Sequence, residues 1–136
     1  MPKKTLLLFA SVVLLFLAMH SLSFAQELYF CEGVSDDGKP IGSYSTFNIP
    51  SGGGYFYFLV KLPYEIGCSS VAYDIYKIDD YGNAVFNTTI WQDDLQHNWV
   101  WFWKKVTFYQ SGYYRVDVVD CYEYTLASSY LTVKFK

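Results

Sequence analysis

From residue 27 to the end of the chain, apolar side chains recur on alternate positions rather than every third or fourth. The runs "YFYFLVKL" (55–62), "VAYDIYKI" (71–78), "AVFNTTIW" (84–91), "WVWFWKKVTFY" (99–109), "YYRVDVVD" (113–120) and "SYLTVKF" (129–135) are short and rich in β-branched and aromatic residues. Such residues suit a pleated surface buried on one side, so each run is predicted to be a strand. The clusters "SGGG", "DDYGN", "QSG" and "CYEYT" separate them and supply turn chemistry. Upstream, "ELYFCEGV" and "IGSYSTFNI" flank "SDDGKP", where Asp37 and Gly38 are placed to take the positive φ of a tight hairpin. No stretch here carries a 3.6-residue apolar stripe. About seven or eight strands without helices predict an all-β fold, a single antiparallel β-sandwich.

The first residues follow a different pattern. "MPKKTLLLFASVVLLFLAMHSLSFA" has a basic start at Lys3 and Lys4, an apolar run from Leu6 to Met19, and small residues at Ser23 and Ala25. That is the plan of a secretory signal peptide, residues 1–25, cut after Ala25. The apolar run is shorter than the roughly 20 residues a spanning helix needs, so the expected product, residues 26–136, is a single soluble domain with no membrane span. It is predicted to be secreted or periplasmic.

Charge narrows the partners. The whole chain carries 10 basic and 13 acidic residues; without Lys3 and Lys4 the basic count falls to 8 and the net charge from −3 to −5. With no basic patch to displace counterions from phosphates, nucleic acid is not an expected partner. Aromatic residues make up 21% of the chain, more than one small core can enclose, so some rings must lie at the surface.

The last third, "FYQSGYYRVDV", places Gly112 two residues before Tyr114, with Val116 and Val118 continuing one strand face. It resembles the penultimate strand of an immunoglobulin-like sandwich, where a corner tyrosine returns its hydroxyl to nearby backbone. It is also similar to the aromatic-x-x-x-Gly-x-Tyr-x-Val run of polycystic-kidney-disease-type domains, with Phe108, Gly112, Tyr114 and Val116 in those places. The resemblance covers about 30 residues and implies a fold, not a ligand. Val116 stands where the second core cysteine of a true immunoglobulin domain would be. The resemblance makes Tyr114 the corner tyrosine and the strands at 71–78 and 113–120 antiparallel neighbours. Cys68 and Cys121 then fall at one pole, as a disulfide that export would permit. Cys31 is left over, as a free thiol or one available to a partner chain.

Trp99, Trp101 and Trp103 alternate, so in an extended strand they share a side. Two phases are open. Anchoring on Phe108 turns Val106, Lys104, Phe102 and Val100 inward and the indoles outward, beside Tyr55 and Tyr57 of the neighbouring strand, as an aromatic ligand-binding face. A bulge at Lys104–Lys105 would instead release both charges and bury the indoles. The cost of an inward ammonium tips the balance slightly to the bulge.

Catalytic patterns are scarce. His97 is the single histidine after the leader, in the polar loop "QDDLQHN". The pairs Asp36–Asp37, Asp79–Asp80 and Asp93–Asp94 lie in turn-like segments, where aspartate serves backbone geometry. No catalytic residue, metal or cofactor is predicted. "NTT" at Asn87 fits a glycosylation acceptor. The expected function is a non-enzymatic binding or structural module that engages a protein partner or copies of itself. The alternative is a carbohydrate-binding module that holds a polysaccharide on the aromatic strand face. A small hydrolase or protease inhibitor is a third class.

Overall fold

The computed structural model describes residues 27–136. The predicted leader and its cleavage site lie outside the described residues. Nine strands follow in order: β1 (Glu27–Val34), β2 (Pro40–Ser43), β3 (Thr46–Ile49), β4 (Gly54–Lys61), β5 (Val71–Ile78), β6 (Ala84–Gln92), β7 (Trp101–Phe108), β8 (Gly112–Val119) and β9 (Thr125–Phe135). They form two packed sheets, ordered β2-β1-β4-β7 and β3-β9-β8-β5-β6. This is the expected β-sandwich.

Two details depart from expectation. The segment "IGSYSTFNI" is two strands in different sheets. Its first half pairs with β1, and its second half runs parallel to β9 as the one parallel pair among the described strands. A continuous strand would have to serve both sheets at once; the exposed pair Tyr44–Ser45 carries the chain across instead. At the preceding turn only Gly38 has positive φ, at 80°, and Asp37 does not. The connection spans 35–39, closed by Ser35 N–H donating to Lys39 O at 2.9 Å, so one left-handed residue suffices.

Alternation puts one side of each inner strand in the core. Leu28 and Phe30 of β1, Phe56, Phe58 and Val60 of β4, and Phe102, Val106 and Phe108 of β7 face the opposite sheet. That sheet answers with Tyr73 and Ile75 of β5, Val116 and Val118 of β8, and Leu131 and Val133 of β9. Phe47, Phe56 and Phe108 stack nearly parallel, with centroids 4.2 and 5.1 Å apart. Truncating a buried phenylalanine of this kind typically costs about 3–5 kcal/mol. Tyr114 is buried, and its hydroxyl donates to the Gln110 carbonyl at 3.0 Å, four residues back across the β7–β8 turn.

β5 and β8 are antiparallel neighbours, and so are β4 and β7. Cys68, before β5, and Cys121, after β8, are therefore brought together at one pole. They are disulfide-bonded, with Cα atoms 5.9 Å apart and a sequence separation of 53. A cross-link over such a loop stabilises by about 2–4 kcal/mol, chiefly by restricting the unfolded chain.

Candidate functional site: the cleft beside the β7 edge

Each sheet ends in a long edge strand on the same side of the molecule. β7 pairs only with β4, and β6 only with β5. The two edges are not bonded to each other as a ladder, so the sandwich is open along this seam.

The seam explains Lys104. The β4–β7 ladder is continuous from Gly54↔Phe108 to Lys61↔Trp101, with no bulge at Lys104–Lys105. Phe102 is 2% exposed, while Trp103 is 45% exposed. The bulged arrangement that would bury the indoles is thus corrected. Its premise was that an inward lysine must cross a closed core. On an edge strand the aliphatic stem runs sideways and the ammonium reaches water in the seam; Lys104 is half-buried accordingly. Val100 is not inside either. It lies before β7 begins, is 43% exposed, and its carbonyl accepts from Leu62 N–H.

One side chain braces the opening. Gln92, at the end of β6, is the only buried polar side chain among the described residues, at 5% exposure. The Tyr73 hydroxyl donates to its Oε1 at 2.7 Å, and its Nε2 donates to the Trp103 carbonyl at 2.9 Å. Burial pushes the Tyr73 hydroxyl well above its ordinary range, with the Asp94 charge adding to the effect, so this hydroxyl stays a donor. The Trp103 carbonyl can only accept, so it fixes which way the amide points and leaves Oε1 to take the Tyr73 proton. The seam is left as two clefts. One, of about 380 Å³, lies by Thr88, Thr107 and Gln110.

The other, of about 730 Å³, runs beside β7, and all three alternate tryptophans border it. Its wall is held by backbone bonds from the 62–67 loop: Ile66 N–H to Trp99 O and Gly67 N–H to His97 O, each 2.8 Å. Asp94, Asn98 and Lys104 also line it, and none of these three side chains has a hydrogen-bond or ion-pair partner in the described protein. A cleft of a few hundred cubic ångströms with apolar walls and a few convergent polar groups is the usual form of a small-ligand site.

The other predicted face residues part company here. Tyr57 touches Trp103 edge to face at 5.3 Å, and Tyr55 touches Tyr57 in the same manner at 6.3 Å. The Lys105 ammonium sits 3.9 Å above the Tyr55 ring. These perpendicular contacts make a folded cluster rather than a flat platform, and neither tyrosine borders the cleft. The β1–β2 turn covers part of this outer face as well. A Cβ on Gly38 would fall 2.5 Å from the Trp101 indole, so only glycine fits there. Leu59 and Cys31, outward by their positions, nevertheless have 0% exposure.

Cys31 is unbonded, and its thiol contacts the Tyr57 carbonyl at 3.7 Å. A cross-link to a partner chain is not open to it while β1 stays paired, because no part of the residue reaches solvent. Burial also raises its thiol above the ordinary value, against the opposing pull of backbone donors at Ile41 and Gly33. His97 and the Asp93–Asp94 pair are exposed in the β6–β7 connection. Among the described residues no group of three or more His, Cys, Asp or Glu is placed to hold a metal.

Gln92, Asn98 and Lys104 were not singled out as ligand contacts from the sequence. Gln92 carried a signal: it continues the inward phase of Thr88 and Ile90, and a polar residue in an inward position implies a buried partner. No protein-family model and no curated protein matches this chain.

Proposed function

We propose that this chain is an exported, non-enzymatic binding module of immunoglobulin-like topology, acting in the cell envelope or extracellular space, and that the cleft beside β7 holds its ligand. The observation that carries the reading is the convergence of Trp99, Trp101 and Trp103 on one cleft whose far wall is braced by Gln92. The strand order supports the topology. β1, β4 and β7 correspond to strands A, B and E, and β9, β8, β5 and β6 to G, F, C and C′. The Tyr114 hydroxyl bond supports it too. The disulfide suits an oxidising compartment. The cleft offers hydrogen-bonding groups and an ammonium, but no serine, threonine, cysteine or histidine to act as a nucleophile or shared base.

Assembly by adding strands edge to edge fits less well. Lys104 points inward on β7, where a docked strand would bury its charge. β6 carries a bulge at Asn87, since Ile75 pairs with Thr88 and Tyr76 with Phe86. Both are recognised ways of blunting an edge.

The test is a ligand panel of oligosaccharides, peptides and small aromatic acids, read by tryptophan fluorescence and by the indole N–H resonances. The reading expects at least one class to give a saturable shift at Trp99 or Trp103. Shifts confined to residues away from the cleft, or none with any class, contradict it.

A further inference from the structure

We propose that the ligand of this cleft is an anionic saccharide, a pyranose chain bearing carboxylate or sulfate. The inference rests on the cleft being the binding site and adds the chemistry of what fills it.

Three features combine. Indoles offer broad apolar faces, and Trp99 and Trp103 are 38% and 45% exposed, so part of each is open to contact. A pyranose has an apolar C–H face of that size. Next to the rings, Asp94 and Asn98 present an acceptor carboxylate and an amide that both donates and accepts, neither side chain hydrogen-bonded within the described protein. Hydroxyl groups both donate and accept, so a ring edged with hydroxyls can satisfy both at once. A purely aromatic ligand would leave them without partners, which is costly once water is displaced.

The third feature is Lys104. It lines the cleft and its ammonium pairs with no carboxylate; the ion pairs of the described residues are Lys39–Asp37 and Arg115–Asp117. Lys105 lines the same cleft but leans over Tyr55. A half-buried, unpaired cation in a partly enclosed cleft favours an anion there over a neutral group, because the local dielectric is below that of water. Asp94 lies in the same cleft, so an anionic sugar must be seated with its charge at Lys104 and its hydroxyls at Asp94. That arrangement gives the site a direction along the sugar chain.

The experiment titrates the purified protein with four oligosaccharides of similar length: galacturonate, its neutral methyl ester, a sulfated chondroitin fragment and neutral cellotriose. Fluorescence and indole resonances report binding. The proposal expects saturable binding of a carboxylate or sulfate form, at least tenfold tighter than the methyl ester, with the two anionic arms telling which group is preferred. Lys104→Gln should erase that tenfold preference, bringing the anionic sugars down to the affinity of the ester. Asn98→Ala should weaken every sugar, while Tyr113→Ala, on the outer face of the other sheet, should change nothing. Equal binding of charged and neutral sugars overturns the anionic assignment and leaves the cleft standing as a sugar site. No response to any of the four overturns the saccharide assignment, and the wider panel then decides whether the cleft binds anything. An anion preference that survives Lys104→Gln also overturns it, because the charge would be read elsewhere.

Discussion

Gln92 shows how much one polar side chain can settle in a small sandwich. Its amide ties the Tyr73 hydroxyl in the core to the Trp103 carbonyl at the seam, and so links the two sheets where no ladder joins them. Replacing Gln92 with Leu keeps the volume but leaves a buried hydroxyl with no acceptor. An unsatisfied buried donor costs about 1–3 kcal/mol, so Gln92→Leu should lose roughly that much in urea unfolding. Tyr73→Phe added to it should recover part of the loss, since it removes the stranded group. If Gln92→Leu alone is neutral, the brace is not structural. The phase of the tryptophans was not legible at this scale. Trp99, Trp101 and Trp103 alternate in either phase, and the cost assigned to Lys104 depends on whether its neighbours include an open seam, which a single residue does not reveal.

For the elements, the strands were legible because period and turn chemistry are local properties. β4, β5, β7 and β8 fall within a residue or two of the runs "YFYFLVKL", "VAYDIYKI", "WVWFWKKVTFY" and "YYRVDVVD". What was not legible is pairing beyond neighbours. The sheet change at Tyr44–Ser45 and the parallel pairing of β3 with β9 depend on contacts some 86 residues apart, such as Thr46 with Thr132. β7 as an edge is the consequential case. An inward lysine on an edge strand admits solvent but repels a docking strand, so Lys104 guards β7 at little cost to the core. Lys104→Val should remove the guard: the variant is expected to associate more strongly than the parent with rising concentration in light scattering. A monomeric Lys104→Val protein at the same concentrations would show that the edge is protected by something else.

The whole molecule keeps several ionisable groups neutral inside. Desolvation raises the Cys31 thiol above its ordinary 9.0 and the Tyr73 and Tyr114 hydroxyls above 10.0. In the unfolded chain these groups ionise at their ordinary values, whereas the fold holds them protonated. Their contribution to stability is therefore complete below about pH 9 and declines as pH rises from there toward the raised folded values. Urea midpoints should be level from pH 7 to 8.5 and fall by pH 10.5, and Cys31→Ala should remove the earliest part of the fall. Flat midpoints to pH 10.5 would mean that these groups reach water in the native state. The pole with the Cys68–Cys121 bond followed from the immunoglobulin-like resemblance, which makes the strands beside the two cysteines neighbours. The cleft did not follow, because it belongs to the gap between two edges rather than to any one segment.

Amide hydrogen exchange along β7 tests the open seam most directly. In a strand the N–H and C=O of one residue point to the same side, and sides alternate. The Trp103 carbonyl faces Gln92 across the seam, so the amides of Trp103, Lys105 and Thr107 face the seam, and those of Phe102, Lys104 and Val106 face β4. The expected result is alternation, with the first three exchanging rapidly and the second three protected nearly to the level of global unfolding. Uniform protection from 101 to 108 would mean that the seam is closed, and the cleft would lose its place in the molecule.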